Sequence, residues 1–148
     1  MAAGVSNPVR ILVVDDDPGD VLMIEEALEE SAINKQIDVV GDGQEAMEFL
    51  RGEGRHPGAE RPDMILLDLN MPRMDGRQVL SQVKGDDDLR TIPIVVLTTS
   101  SADTDILSSY SLQANAYVTK PIGLDDFTDV VRRIDEFFGR VVVLPRQR

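Results

Sequence analysis

Short apolar runs recur along the chain, and each is followed by a stretch in which apolar residues repeat at helical spacing. The first run, RILVV at 10–14, is β-branched and continuous and stops at Asp15, Asp16 and Asp17. An unbroken run of that length predicts a strand buried on both faces. From Asp20, the residues Val21, Ile24, Ala27 and Leu28 share one side of a helix while Glu25, Glu26, Glu29 and Glu30 take the other, the pattern of an amphipathic helix. A second strand is predicted at 37–40, a GDG turn at 41–43, and a helix at 44–51 with Ala46, Met47 and Leu50 on its apolar stripe. GEGRHPGAERP at 52–62 reads as a polar loop.

The alternation continues. A third strand at 64–67 ends on Asp68, a helix covers 76–84, and polar GDDD follows at 85–88. A fourth strand at 94–97 ends on Thr98, a weaker helix covers 103–109, and a fifth strand at 116–119 runs into Lys120 and Pro121. A last helix starts near Leu124, with Phe127, Val130, Val131, Ile134 and Phe138 on its stripe and Asp125 and Asp126 in its favourable first turn. Five strands alternating with helices predict an α/β fold, a doubly wound parallel sheet covered on both faces.

Composition narrows the class. The 148 residues suit one domain, and 42% hydrophobic with 28% charged residues describes a chain that folds. The net charge of −12 opposes nucleic-acid backbones and anionic membranes, so proteins and cations are the expected partners. Without cysteine there is no disulfide, thiol nucleophile or cysteine metal site. The first ten residues lack a signal-peptide apolar core and no apolar run is long enough to span a bilayer, so a cytoplasmic location is expected.

In an open parallel sheet, side chains at the carboxyl ends of the strands meet in one crevice. Four of the predicted strands end there on Asp15 and Asp16, on Asp68, on Thr98 and on Lys120. Acids so placed repel unless a hard cation neutralises them, and oxygen donors without histidine suit Mg2+. A lysine and a hydroxyl opposite suit phosphoryl oxygens. Asp68, alone at the end of the central strand, is then the candidate nucleophile for an acyl phosphate. On that reading Asn70, Pro72, Asp75 and Gly76 shape the metal site; on the plainer one they are ordinary turn chemistry.

VVDDD (13–17), LLDLNMPRMDG (66–76), VLTTS (96–100) and YVTKPI (117–122) stand in the order and spacing of the four signatures of the response-regulator receiver domain of two-component signalling, which the chain resembles. The resemblance divides the chain into a tail at 1–9, a receiver domain at 10–138 and an extension at 139–148. It implies a flavodoxin-like sheet of order 2-1-3-4-5 and phosphorylation of Asp68 by a sensor histidine kinase. It also implies Mg2+ held by Asp16, Asp68 and the backbone carbonyl of Asn70, with Asp15 acting through water. Thr98 and Lys120 would contact the phosphoryl group, Thr98 and Tyr117 would form the switch, and Lys120–Pro121 would be a cis peptide, a bond that proline alone makes cheap. More narrowly, DDDPGD, the 52–62 loop, LLDLNMP, LTTS and FFGRVVVLP resemble the single-domain regulators of bacterial phytochrome kinases. That likeness implies a bacteriophytochrome as kinase and a homodimer.

Each signal has a plainer counterpart. A DDD run is usually a solvated turn, Lys120 could pair with a surface acid, Thr98 could satisfy a backbone group, and a strand aromatic such as Tyr117 is ordinarily core. His56, in its polar loop, is expected to be solvated. GDG is too short for a nucleotide loop, no Walker or Rossmann fingerprint occurs, and an EF-hand fails at Pro72. Asp103 and Asp105 read as helix-start charges. VVVLP at 141–145 either folds back or forms an arm onto a second copy.

The leading function is a stand-alone phosphorylated switch that signals by protein association and performs only self-directed phosphoryl transfer and hydrolysis. By resemblance Asn70 and Ser100 flank the attacking water, and neither can act as a base. One rival is a constitutive dimeric adaptor. Another is an aspartate-nucleophile phosphohydrolase, which needs a second acid two residues after the nucleophile, where Asn70 stands.

Overall fold

Continuous apolar strands must be shielded from water on both faces, and alternate residues of these strands enter two separate cores. The computed structural model describes residues 8–29, 34–69, 75–98 and 116–119. Strands β1 (Val9–Val14), β2 (Lys35–Val40), β3 (Met64–Leu67), β4 (Ile94–Thr98) and β5 (Ala116–Thr119) form one sheet of order β2-β1-β3-β4-β5. Every pairing is parallel, which is the expected doubly wound order. Leu12, Val14, Val40, Ile65, Leu67, Ile94 and Val96 pack with helices α2 (Gly43–Arg51) and α3 (Gly76–Lys84). Ile11, Val13, Met64, Leu66, Val95 and Leu97 pack with Ile24, Ala27 and Leu28 of α1 (Pro18–Glu29) on the other face.

Element edges differ from the sequence reading for identifiable reasons. α1 starts at Pro18 rather than Asp20, because Asp17 caps it: its Oδ1 accepts the Gly19 and Asp20 amides at 2.9 and 3.3 Å. Proline then sits at the first helical position, where its missing N–H costs nothing. β2 begins at Lys35 rather than residue 37 because Lys35 and Gln36 pair with Val9 and Arg10 of β1. α2 begins one residue earlier, at Gly43, behind the cap Asp42, whose Oδ1 accepts the Glu45 amide at 2.8 Å. The helices expected at 103–109 and from 124, and the 141–145 run, lie outside the described residues.

The 52–62 loop is not merely a solvated excursion. Gly52, Gly54 and Gly58 adopt φ of 63°, 59° and 72°, a left-handed conformation open to glycine, and these turns fold the loop back along α2. His56, expected in solvent, places Nε2 2.8 Å from Glu45 Oε2 and stands edge-on to Phe49 with ring centroids 5.2 Å apart. Arg55 pairs with Glu48 at 2.8 Å. Arg61 donates to Thr91 Oγ1 at 2.7 Å and to the Asp88 carbonyl, tying this loop to the one after α3.

Glu45 carries a testable pH dependence. Burial works to raise its carboxyl, but the Gly41 N–H, the His56 ring and the Arg55 charge together hold it below its ordinary value of 4.5. A carboxyl lowered by folding contributes stability that is present above the ordinary value and lost as pH falls through the lowered one. As the pH falls below the ordinary value of 4.5, the urea midpoint of the native chain should therefore fall more steeply than that of Glu45→Gln. Parallel profiles would remove Glu45 from the acid response.

Candidate functional site

β1 and β3 lie side by side with Val14 level with Leu67, so the residues that follow, Asp15 and Asp68, leave the sheet together. Their main chains are fixed from neighbouring strands. The Asp68 N–H donates to the Val14 carbonyl at 2.9 Å, and the Asp15 N–H donates to the Val40 carbonyl at 3.1 Å. Asp15 and Asp68 are 4% and 8% exposed, whereas Asp16 faces solvent. Asp15 Oδ1 also accepts the Asp17 N–H at 2.9 Å, which turns the chain toward α1.

One carboxylate oxygen each from Asp15, Asp16 and Asp68 lies within 4.8 Å of the others. Carboxylates that close repel one another, and more strongly where burial keeps water away, as at Asp15 and Asp68. A divalent cation would reverse the sign of that interaction. Three hard oxygen donors, with Asp16 open to water, fit a small hard cation that keeps some of its waters better than a soft transition metal.

The other flank is placed by backbone register. Leu67 pairs with Val96, so Asp68 is level with Leu97, and Thr98 ends β4 one residue beyond it. Thr98 pairs with Thr119, and Tyr117 pairs with Val96. Asn70, Lys120 and Pro121 lie outside the described residues, as do the side chains of Thr98 and Tyr117. The expected carbonyl ligand, phosphoryl contacts, switch pair and cis peptide fall there.

After Asp68 and Leu69, the described chain resumes at Asp75, the cap of α3. Asp75 Oδ1 accepts the Gln78 N–H at 3.1 Å, and Gln78 Oε1 accepts the Asp75 N–H at 3.0 Å, a reciprocal capping box. Gly76, the first residue of α3, is buried and donates its N–H to the Leu69 carbonyl at 3.0 Å. A polar cleft of about 410 Å³ lies at the opposite end of the sheet, lined by residues that include Arg10, Gln36, Arg55 and His56. Its arginines are already paired, Arg10 with Glu60 and Arg55 with Glu48, so it does not compete with the acidic site as a place for chemistry.

Residues 11–132 match the response regulator receiver domain. The chain belongs to that family. This receiver is similar to the response regulator Rcp1 of Synechocystis sp., 43% identical over 95% of this chain and 96% of that protein. An Mn2+-bound form of Rcp1 superposes with a TM-score of 0.91 at 42% identity, covering 94% of this chain and all of that one. The phosphorylated cyanobacterial phytochrome response regulator RcpA superposes at 0.92 with 44% identity, covering 95% of this chain and all of that one. FilR2 of Methanothrix harundinacea, a probable methanogenesis regulatory protein, is 40% identical over 89% of this chain and 84% of that one. The receiver is thus a signalling domain of the two-component type, related to phytochrome response regulators. No helix among its described residues is long and apolar enough to cross a membrane.

Two residues at this end of the sheet take roles that the sequence reading passed over. Asp17 caps α1 and stands apart from the carboxylate cluster; the signal was the Asp-Pro pair, a cap followed by proline at the first helical position. Gly76 was read as turn chemistry at the start of the 76–84 helix, and nothing local distinguishes such a glycine from one demanded by close packing.

Proposed function

We propose that this receiver accepts a phosphoryl group on Asp68 from the phosphohistidine of a sensor histidine kinase and signals through protein association. The observation that carries the reading is the convergence of Asp15, Asp16 and the buried Asp68 within 4.8 Å at the carboxyl ends of adjacent strands. In the transfer, a carboxylate oxygen of Asp68 forms a bond to phosphorus as the nitrogen–phosphorus bond of the phosphohistidine breaks, and the released imidazole is neutral once solvent has supplied any proton it needs. Hydrolysis reverses the modification: water bonds to phosphorus, the acyl-phosphate bond breaks, and Asp68 and inorganic phosphate result.

Asp15, Asp16, Asp68 and the Asn70 carbonyl are the groups assigned to Mg2+, which when bound offsets the negative charge of the phosphoryl oxygens. The Lys120 ammonium and the Thr98 hydroxyl are assigned to the remaining phosphoryl oxygens, and Thr98 with Tyr117 to the switch that reports them. Similarity to RcpA and Rcp1 supports a phytochrome-type kinase as partner. The comparable identity to FilR2 means that the scaffold alone does not set the input. The 139–148 extension is assigned to dimer formation, and the charge of −12 supports protein rather than nucleic-acid or membrane partners, in the cytoplasm.

Incubation with phosphoramidate and Mg2+ is expected to add the mass of one phosphoryl group, and EDTA to prevent it. Mn2+ should substitute, because the donor set is oxygen-only. A native chain that gains no mass with either cation would sink the reading.

A further inference from the structure

We propose that Gly76 and the Asp75–Gln78 capping box are positioning residues for phosphoryl acceptance: they hold the main chain of Asp68 from the α3 side and so set where its carboxylate stands. The proposal rests on Asp68 being the acceptor.

A Cβ built on Gly76 would lie 2.2 Å from the Asp68 carbonyl oxygen, 2.6 Å from Leu69 Cα and 3.0 Å from the Asp68 carbonyl carbon. Ordinary nonbonded contact is about 3.5 Å, so any larger residue forces α3 or the acceptor's peptide to move by roughly an ångström. The obstructing atoms are backbone and cannot swing aside as a flexible side chain would. Among the described residues the glycines with positive φ are Gly52, Gly54 and Gly58. Gly76 is therefore required for space and not for an unusual conformation. A glycine also weakens a helix relative to alanine, which leaves close approach as the physical reason for one here.

The contact completes a hold from two sides. On the sheet side, Val14 accepts the Asp68 N–H at 2.9 Å. On the helix side, the Gly76 N–H reaches the Leu69 carbonyl at 3.0 Å, and the Leu69 side chain is fully buried in the core beneath α2 and α3. The Asp68–Leu69 peptide is thus confined between β1 and the first turn of α3. That turn is in turn fixed by the reciprocal bonds of Asp75 and Gln78 at 3.0 and 3.1 Å. Displacement of a nucleophile by about an ångström is enough to slow a reaction by as much as about a hundredfold.

The test uses the full chain, phosphoramidate and saturating Mg2+, with intact mass as the rate readout and far-UV circular dichroism as the check on folding. Gly76→Ala should fold and accept the phosphoryl group at least about tenfold more slowly than the native chain. Gln78→Ala should be slowed about threefold or more, and Gln78→Glu, which preserves a capping box, should recover to within about twofold. A folded Gly76→Ala that reacts within about twofold of the native rate would overturn the proposal. Should Gly76→Ala not fold, the Gln78 pair decides. A slow Gln78→Ala with a restored Gln78→Glu supports the proposal; a Gln78→Ala at the native rate, or two equally slow variants, overturns it. Failure of the native chain itself to gain mass is a different result, and refutes the acceptor reading on which the proposal rests.

Discussion

Asp68→Asn should lose phosphoryl uptake altogether while keeping its fold. Asparagine has nearly the shape of aspartate, so the main-chain bond from the position 68 amide to the Val14 carbonyl can persist, and the packing around a side chain that is 8% exposed need not change. What is lost is the anionic oxygen that attacks phosphorus. Removal of a nucleophile of this kind typically costs at least about a thousandfold in rate, which here means no mass gain from phosphoramidate within the time the native chain needs to react fully. Stability should respond in the opposite sense. One of three carboxylates within 4.8 Å of one another has become neutral, so without Mg2+ the variant should unfold at an equal or higher urea concentration, and the stabilisation by Mg2+ should shrink. Sedimentation velocity with Mg2+ and beryllofluoride supplies the signalling readout: a change in association state is expected in the native chain alone. A variant that gains mass or associates as the native chain does would sink Asp68 as acceptor.

Ile65→Ala is expected to be strongly destabilising. Ile65 is fully buried on the central strand β3, level with Leu12 of β1 and Ile94 of β4, and its side chain enters the core shared with α2 and α3. Neighbours on both sides are held in the sheet, so the space left behind cannot close readily. Cavities of this kind cost about 2 to 5 kcal/mol, a large share of the roughly 5 to 15 kcal/mol that keeps a domain folded. The urea midpoint should fall accordingly with little change in slope. Leu22 provides the contrast. It lies on α1 but is 57% exposed, so Leu22→Ala should stay within about 0.5 kcal/mol of the native chain. Equal shifts for the two variants would contradict the placement of the core.

What could be read before folding was local. Strands β1, β3 and β4 announced themselves as unbroken apolar runs because both faces of the sheet are covered there, and the acids at 15, 16 and 68 were visible because strand ends place them at one edge of the sheet. Boundaries set by pairing or capping were harder to see. Lys35 and Gln36 have no strong strand preference and join β2 because Val9 and Arg10 lie opposite. His56 looked like a loop histidine, and its bond to Glu45 arises only when the glycine turns fold the loop along α2.

The residue alphabet and its spacing were thus sufficient for the fold class, the candidate acceptor and the acidic cluster, since burial period and strand-end polarity are written along one dimension. Folding settled the rest. Asp17 proved a helix cap beside the cluster, Asp63 came to accept the Arg10 amide at 2.9 Å from 53 residues away, and Gly76 became the contact that confines Asp68. Each of these depends on a distance between separate segments, and such distances exist only after helices and strands have packed.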